Sequence, residues 1–292
     1  MTDPALERAR AATGPAFTDA VTFSFGDPAA QLYGLARIGL SPGEDGVSGS
    51  ALAVLFSGRE PVSVLARGGI GAGADAGWES IALDGLSARV LEPLRRWTVA
   101  LEGEDHGFDL RFDAVSGPAE VTGGVVRAGG LEGYEQLCAV TGTVRTGGRV
   151  IEVRCLGQRG HTWGEPDWNR MATARTVSAW PDDGFALALT AIRPDGAEHG
   201  EERVWAALLG STGTLQVDEP RLSTTYDGEG RQRRAGLELW VSEDDGHAHR
   251  GSGEVLCGST LDLGQLRMEC AFFRWRLDGR AGVGRYDVLR RV

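Results

Sequence analysis

Short runs of apolar residues spaced two apart recur along the chain. In Val150–Leu156, the apolar Ile151, Val153 and Cys155 alternate with Glu152 and Arg154. Successive side chains of a strand point to opposite faces, so this run reads as a strand with one face toward a core. Trp97, Val99 and Leu101 alternate in the same way before the turn-like stretch Glu102–Gly107, and Phe108, Leu110 and Phe112 after it, which predicts a hairpin. Leu237, Leu239 and Val241 repeat the pattern, as do Phe273, Trp275 and Leu277. Residues 137–144 and 149–156 read as a further hairpin, turned at Gly147 and Gly148. Most of the 44 glycines fall between such runs. No window holds a helical period beyond a few turns. Only Met1–Thr13 suggests a short helix, because Asp3 suits an N-cap and Pro4 the first helical position. The expected fold class is all-β, built of antiparallel barrels or sandwiches behind that helix. A coarse division predicts two domains, residues 1–164 and 165–292, with Gly157–Trp168 at their junction.

Composition narrows the function. The net charge of −11 argues against nucleic acid and anionic membrane surfaces as partners. All 30 basic residues are arginine. Schiff-base chemistry, pyridoxal phosphate attachment and a Walker-type phosphate loop need lysine and are therefore excluded. No G-x-S-x-G elbow occurs, and no G-x-G-x-x-G leads a strand into a helix. No cofactor is expected. Cys138, Cys155, Cys257 and Cys270 form no C-x-x-C pair and lie in apolar runs, so they read as core thiols rather than disulfides or zinc ligands. His247 and His249 lie in an acidic turn with no third ligand placed by spacing, and no metal site is expected. The first 17 residues lack the apolar core of a signal peptide, and the longest apolar run, Ala51–Phe56, is too short to span a bilayer. A cytoplasmic protein with no integral membrane segment follows as an expectation, with a homodimer left open.

The stretch Gly157-Gln158-Arg159-Gly160-His161-Thr162-Trp163-Gly164-Glu165-Pro166-Asp167-Trp168 concentrates ionisable and aromatic groups directly after a strand. If that strand continues, Arg159, His161, Trp163 and Glu165 share the inward face of Ile151, Val153 and Cys155. A bulge at Gly157 or Gly160 would reverse the parity. Burying arginine and histidine is costly unless they are paired, so the cluster reads as the polar mouth of a pocket. Together with the strand ending near Trp180 and the hairpin around "FALALTAIRPDG", this motif resembles bacterial proteins similar to carotenoid 1,2-hydratase (hydroxyneurosporene synthase). That group is related to tocopherol cyclases and lipocalin-like Diels–Alderases. The resemblance covers about residues 130–290. It implies two calycin-like β-domains, an apolar ligand cavity and cofactor-independent hydration, isomerisation or cyclisation of an alkene.

His161 is the first choice for proton transfer, since imidazole titrates near neutrality. The alternative is a structural histidine at the domain junction. Glu165 and Asp167 are candidates for the acid that protonates an alkene, while Asp167 also suits a turn after Pro166. Arg159 would pair with a carboxylate or bind one on a substrate. Trp163 and Trp168 would line a cavity or fill a core. The predicted hairpin brings Tyr134 and Glu135 toward residues 160–164, as site residues or as ordinary strand-end polarity. Two functions remain open on this reading. One is an acid–base enzyme acting on an isoprenoid, polyketide or sterol-like molecule. The other is a protein that only binds such a molecule.

Overall fold

A computed structural model describes residues 3–44, 46–73, 75–182, 184–242 and 248–292. His247 lies outside them. The chain divides into two compact units. One comprises Met1–Pro118 and Leu131–Pro166, the other Ala119–Gly130 and Asp167–Val292.

In the first unit the strands are β1 (Thr18–Asp27), β2 (Leu32–Gly43), β3 (Gly46–Ser57), β4 (Glu60–Gly71), β5 (Ser80–Leu83), β6 (Leu86–Glu92), β7 (Arg96–Leu101) and β8 (Gly107–Ala114). The chain then gives β9 (Ala119–Val121) and the helix α1 (Gly124–Gly129) to the second unit and returns as β10 (Leu131–Thr146) and β11 (Arg149–Gly164). The sheet order is β4-β3-β2-β1-β11-β10-β8-β7-β6-β5. The sheet curls until its ends approach: a Cβ on Gly49 of β3 would lie 2.5 Å from Leu83 of β5. Alternate residues of each strand fill the interior, among them Phe23, Trp97, Phe112 and Val140, all at most 3% exposed. Burying one such side chain stabilises by roughly 1.5–3 kcal/mol, so the period-two pattern decides which face turns inward.

The second unit continues with β12 (Met171–Asp182), β13 (Phe185–Pro194), β14 (Arg203–Gly210), β15 (Gly213–Gln216), β16 (Glu219–Tyr226), β17 (Gln232–Trp240), β18 (Ala248–Leu263), β19 (Leu266–Leu277) and β20 (Arg280–Arg291). Their order is β15-β14-β13-β12-β20-β19-β18-β17-β16. Residues 217–218 bridge its flanks: Val217 N–H donates to Ala206 O at 3.0 Å and Asp218 N–H to Trp240 O at 2.9 Å. Leu189, Leu239, Phe273 and Trp275 lie in its core.

The expected class is met by two curled antiparallel sheets. The predicted hairpins form, with Trp97 opposite Phe112 and Leu101 opposite Phe108. Gly147 and Gly148 take φ +54° and +74°, the sign that a two-residue hairpin turn requires at both positions. The expected helix over Met1–Thr13 needs correction. Asp3 does cap a helical start, accepting from Ala5 N–H at 2.9 Å, but the element is a single 3-10 turn, Pro4–Glu7, ended by extended Arg8. Beyond it, residues 8–17 form no helix or strand. Their anchors are tertiary: Glu7 and Phe17 are buried. The six-residue α1 was too short to show a period in the sequence.

Candidate functional site

β11 runs unbroken between β1 and β10, pairing residue for residue on both sides. Neither Gly157 nor Gly160 is a bulge. The face of Val153 therefore continues through Gly157 into Arg159 and His161, both with no solvent exposure, and then into half-buried Trp163. Tyr134 stands opposite His161 and Gln136 opposite Arg159, on the matching face of β10.

His161 is enclosed by aromatic rings. Trp163, Tyr134 and Trp78 meet it edge-on at centroid distances of 5.0, 5.7 and 5.9 Å. Its Nε2 lies 2.6 Å from Asp19 Oδ1, and its Nδ1 lies 3.1 Å from the carbonyl oxygen of Leu6. A carbonyl only accepts, so Nδ1 carries a proton. The other oxygen of Asp19 accepts from Arg10 N–H at 2.7 Å and from the Trp78 indole at 3.1 Å. The His161 ring is thus clamped between the Asp19 carboxyl group at Nε2 and the Leu6 carbonyl at Nδ1.

Arg159 lies over Trp97, 4.3 Å from the ring centroid, and donates from Nη1 to the Tyr134 hydroxyl at 2.5 Å. Its Nη2 donates to Glu7. The other Glu7 oxygen accepts from Leu94 N–H at 2.8 Å. Leu94 is a non-glycine residue at φ +59°, in the turn between β6 and β7, and its carbonyl accepts from Gln136 at 3.1 Å. Left-handed backbone at such a residue costs energy and tends to mark sites where the surroundings fix it. Burial pulls the Arg159 pKa down, but Tyr134 and Glu7 more than offset it, so the guanidinium stays charged. Burial pushes the Tyr134 hydroxyl up to about 12, against the pull of Arg159, which keeps it neutral.

The other sequence candidates are placed elsewhere. Glu165 is exposed and accepts from the hydroxyl of Thr13. Asp167 is exposed and caps the 3-10 turn Trp168–Arg170, accepting from Asn169 N–H at 3.0 Å, in keeping with its alternative as a turn residue. Trp168 is half-buried as the first residue of that turn. Glu135 is buried on the opposite face of β10, where it accepts from Gln158 at 2.7 Å. Arg159, His161, Trp163 and Tyr134 thus come together, whereas Glu165, Asp167, Trp168 and Glu135 do not join them. Sequence reasoning missed Asp19, Glu7 and Trp78. Asp19 had a signal, because it shares odd parity with Val21, Phe23 and Phe25. Glu7 had none, because no period governs its segment.

The second unit repeats part of this arrangement. Arg175 donates to Glu202, to Thr224 Oγ1 at 2.9 Å and to the Tyr286 hydroxyl at 3.1 Å. Tyr286 sits on the diagonal from Arg175 that Tyr134 takes from Arg159: the facing pairs are Arg175 with Val288, and Val177 with Tyr286. Two residues beyond the arginine, however, the first unit has His161 and the second has Val177. Cys138, Cys257 and Cys270 are buried, Cys155 is half-buried, and all four are free thiols. Burial pushes Cys138, Cys155 and Cys257 up to about 12. Among the described residues, no group of three His, Cys, Asp or Glu side chains is placed to hold a metal, and no helix is long and apolar enough to cross a membrane.

Two curled antiparallel sheets, the first with a polar cluster buried at one end, define a two-unit β-protein of the calycin type. The chain belongs to the family described as "Domain of unknown function (DUF7064)", whose model matches residues 3–292. No curated protein matches it in sequence. Among solved structures it is similar to a putative AttH from Nitrosomonas europaea (TM-score 0.64, 17% identity, 94% of this chain and 92% of that one). It is also similar to CghA bound to Sch210972 (TM-score 0.65, 12% identity, 95% and 89%). A third is kievitone hydratase from Nectria haematococca (TM-score 0.63, 11% identity, 94% and 88%). At these identities the likeness shows the shared fold.

Proposed function

We propose that this protein is an enzyme of the hydratase, isomerase or cyclase type. It would act on a small hydrophobic molecule at the Arg159–His161 end of the first barrel. The observation that carries this reading is the His161–Asp19 pair, buried among three aromatic rings beside a charged arginine. Asp19 holds Nε2 and fixes the ring, and Nδ1 is the edge from which a proton leaves. Trp78, Tyr134 and Trp163 exclude water, and their faces favour a developing cation. Arg159 and Tyr134 orient the substrate. Glu165 is better placed to hold the N-terminal segment than to deliver a proton. The hydratase among the similar folds supports the reaction class by analogy of fold alone.

A second reading, a protein that binds its ligand without chemistry, is favoured by one observation: both ring nitrogens of His161 are engaged within the protein. Isotope transfer separates the two. Incubated in D2O with a lipid extract, an acid–base enzyme leaves carbon-bound deuterium on its substrate, detectable by mass spectrometry. His161→Asn should slow that transfer by about 10²–10⁴-fold with the fold intact. Ligand retention without any His161-dependent deuterium would reject catalysis.

A further inference from the structure

The polar atoms of the barrel end are already occupied, and their occupant belongs to the chain. One turn of the N-terminal segment supplies the Leu6 carbonyl to His161 Nδ1 and the Glu7 carboxylate to Arg159 and Leu94 N–H. Glu7 is 5% exposed and Arg159 not at all. Around this turn the segment is loosely built. Residues 8–17 pair with no strand, and Asp3, Pro4, Arg8 and Ala9 are exposed. Besides buried Phe17, residues 10–17 are held by few polar contacts: Arg10 N–H to Asp19, the Arg10 guanidinium 4.2 Å over Trp163, and Thr13 to Glu165. Glu202, which meets Arg175 in the second unit, instead directly precedes strand β14 and is fixed by it.

We infer that residues Leu6 and Glu7 are an internal stand-in for the substrate, and that the substrate is an apolar molecule with a carboxylate head group. This rests on the reading of Arg159 and His161 as the reaction site. Three features define the head-group receptor. A guanidinium and a backbone N–H converge on the two oxygens of one carboxylate, the geometry a carboxylate ligand needs. Arg159 Nε is buried without a hydrogen-bond partner, so the receptor holds donor capacity that Glu7 leaves unused. Removing Glu7 alone would strand a buried cation, so whatever displaces it must bring its own negative charge. The Leu6 carbonyl marks the second point of contact. Arg159 and His161 are two residues apart on one strand face, about 7 Å, so the atom receiving the proton lies several bonds from the carboxylate. Displacement of the segment releases Nδ1–H to that atom, which couples substrate entry to activation of the acid.

The test uses the full chain, with octanoate and its neutral counterpart 1-octanol as probes. Titration calorimetry and thermal melting compare the wild type with Glu7→Ala and Glu165→Gln. Glu7→Ala removes the internal competitor and should bind octanoate at least about tenfold more tightly, since apparent affinity scales with the fraction of open site. Octanoate should also raise its melting temperature, while 1-octanol binding should stay as in the wild type. Glu165→Gln weakens the Thr13 anchor without touching Arg159. It should gain octanoate affinity several-fold, and it carries the test if Glu7→Ala fails to fold. An unchanged octanoate affinity in both folded variants overturns the inference, as does an equal gain for 1-octanol. If octanoate fails while His161-dependent deuterium transfer persists, only the head-group assignment falls. If octanoate behaves as expected but no deuterium is transferred, the site stands as a carboxylate receptor and the acid–base reading falls.

Discussion

The buried Arg159–Glu7 pair should respond unequally to loss of its two members. Arg159 is fully buried in the middle of β11, over Trp97, and cannot reach water without breaking the sheet. Glu7 ends a single 3-10 turn followed by extended chain and can turn outward. Glu7→Ala therefore leaves a buried guanidinium with the Tyr134 hydroxyl and Gln136 as its remaining partners, a loss of about 3–5 kcal/mol. Arg159→Met replaces the stacked guanidinium with an apolar chain of similar length against Trp97 and Phe23. It releases Glu7 to solvent and leaves the Tyr134 hydroxyl short of one partner, at about 1–2 kcal/mol. Urea unfolding followed by tryptophan fluorescence should show the two variants separated by about 2 kcal/mol or more, with the acidic substitution the more damaging. Equal losses, or a larger loss for Arg159→Met, would refute the claim that Glu7 is free to leave.

Two other outcomes follow from the geometry. Asp287 is 2% exposed and burial raises it from 3.8 to about 6, against the pull of Arg285. The native state then holds this proton to a higher pH than the unfolded chain does. Its stabilising contribution is complete below about pH 4 and is lost as pH rises through about 6. The stability of Asp287→Asn relative to wild type should therefore rise by up to about 3 kcal/mol between pH 4 and pH 8, and a flat difference in urea titrations would contradict the assignment. Gly157→Ala would set a methyl group 2.3 Å from Ser24 O and 2.8 Å from Val140, between two strands that cannot part. It should cost about 1–3 kcal/mol or more, and a stable variant would show that the β1–β11–β10 seam gives way.

The first sheet and half of the candidate cluster were readable because strand parity carries them. The alternation through Ile151 and Val153 placed Arg159, His161 and Trp163 inward, and the Gly147–Gly148 turn fixed the register that sets Tyr134 opposite His161. The same rule assigned Glu165 to the inward face, but β11 ends at Gly164, and parity has no meaning past the end of a strand. Glu135 differs from Tyr134 by one residue, and so by one whole face. Glu7 reaches Arg159 across 152 residues of chain from a segment without periodicity, and no local pattern encodes such a contact.

The passage of residues 119–130 into the second unit, between β8 and β10 of the first, governs how the molecule is assembled in time. Strand β1 pairs with β2 at once, yet its other edge finds its partner only when β11 arrives, since Thr18 faces Gly164. Closing so long a loop is slow. Until then the apolar face of β1 to β4 has no roof and waits as exposed sheet, the state most open to aggregation. The second sheet cannot form early either, because its last strand in sequence, β20, is the neighbour of its first, β12. Neither half can be released intact by a single cut, because each is completed by chain that returns to it from the other.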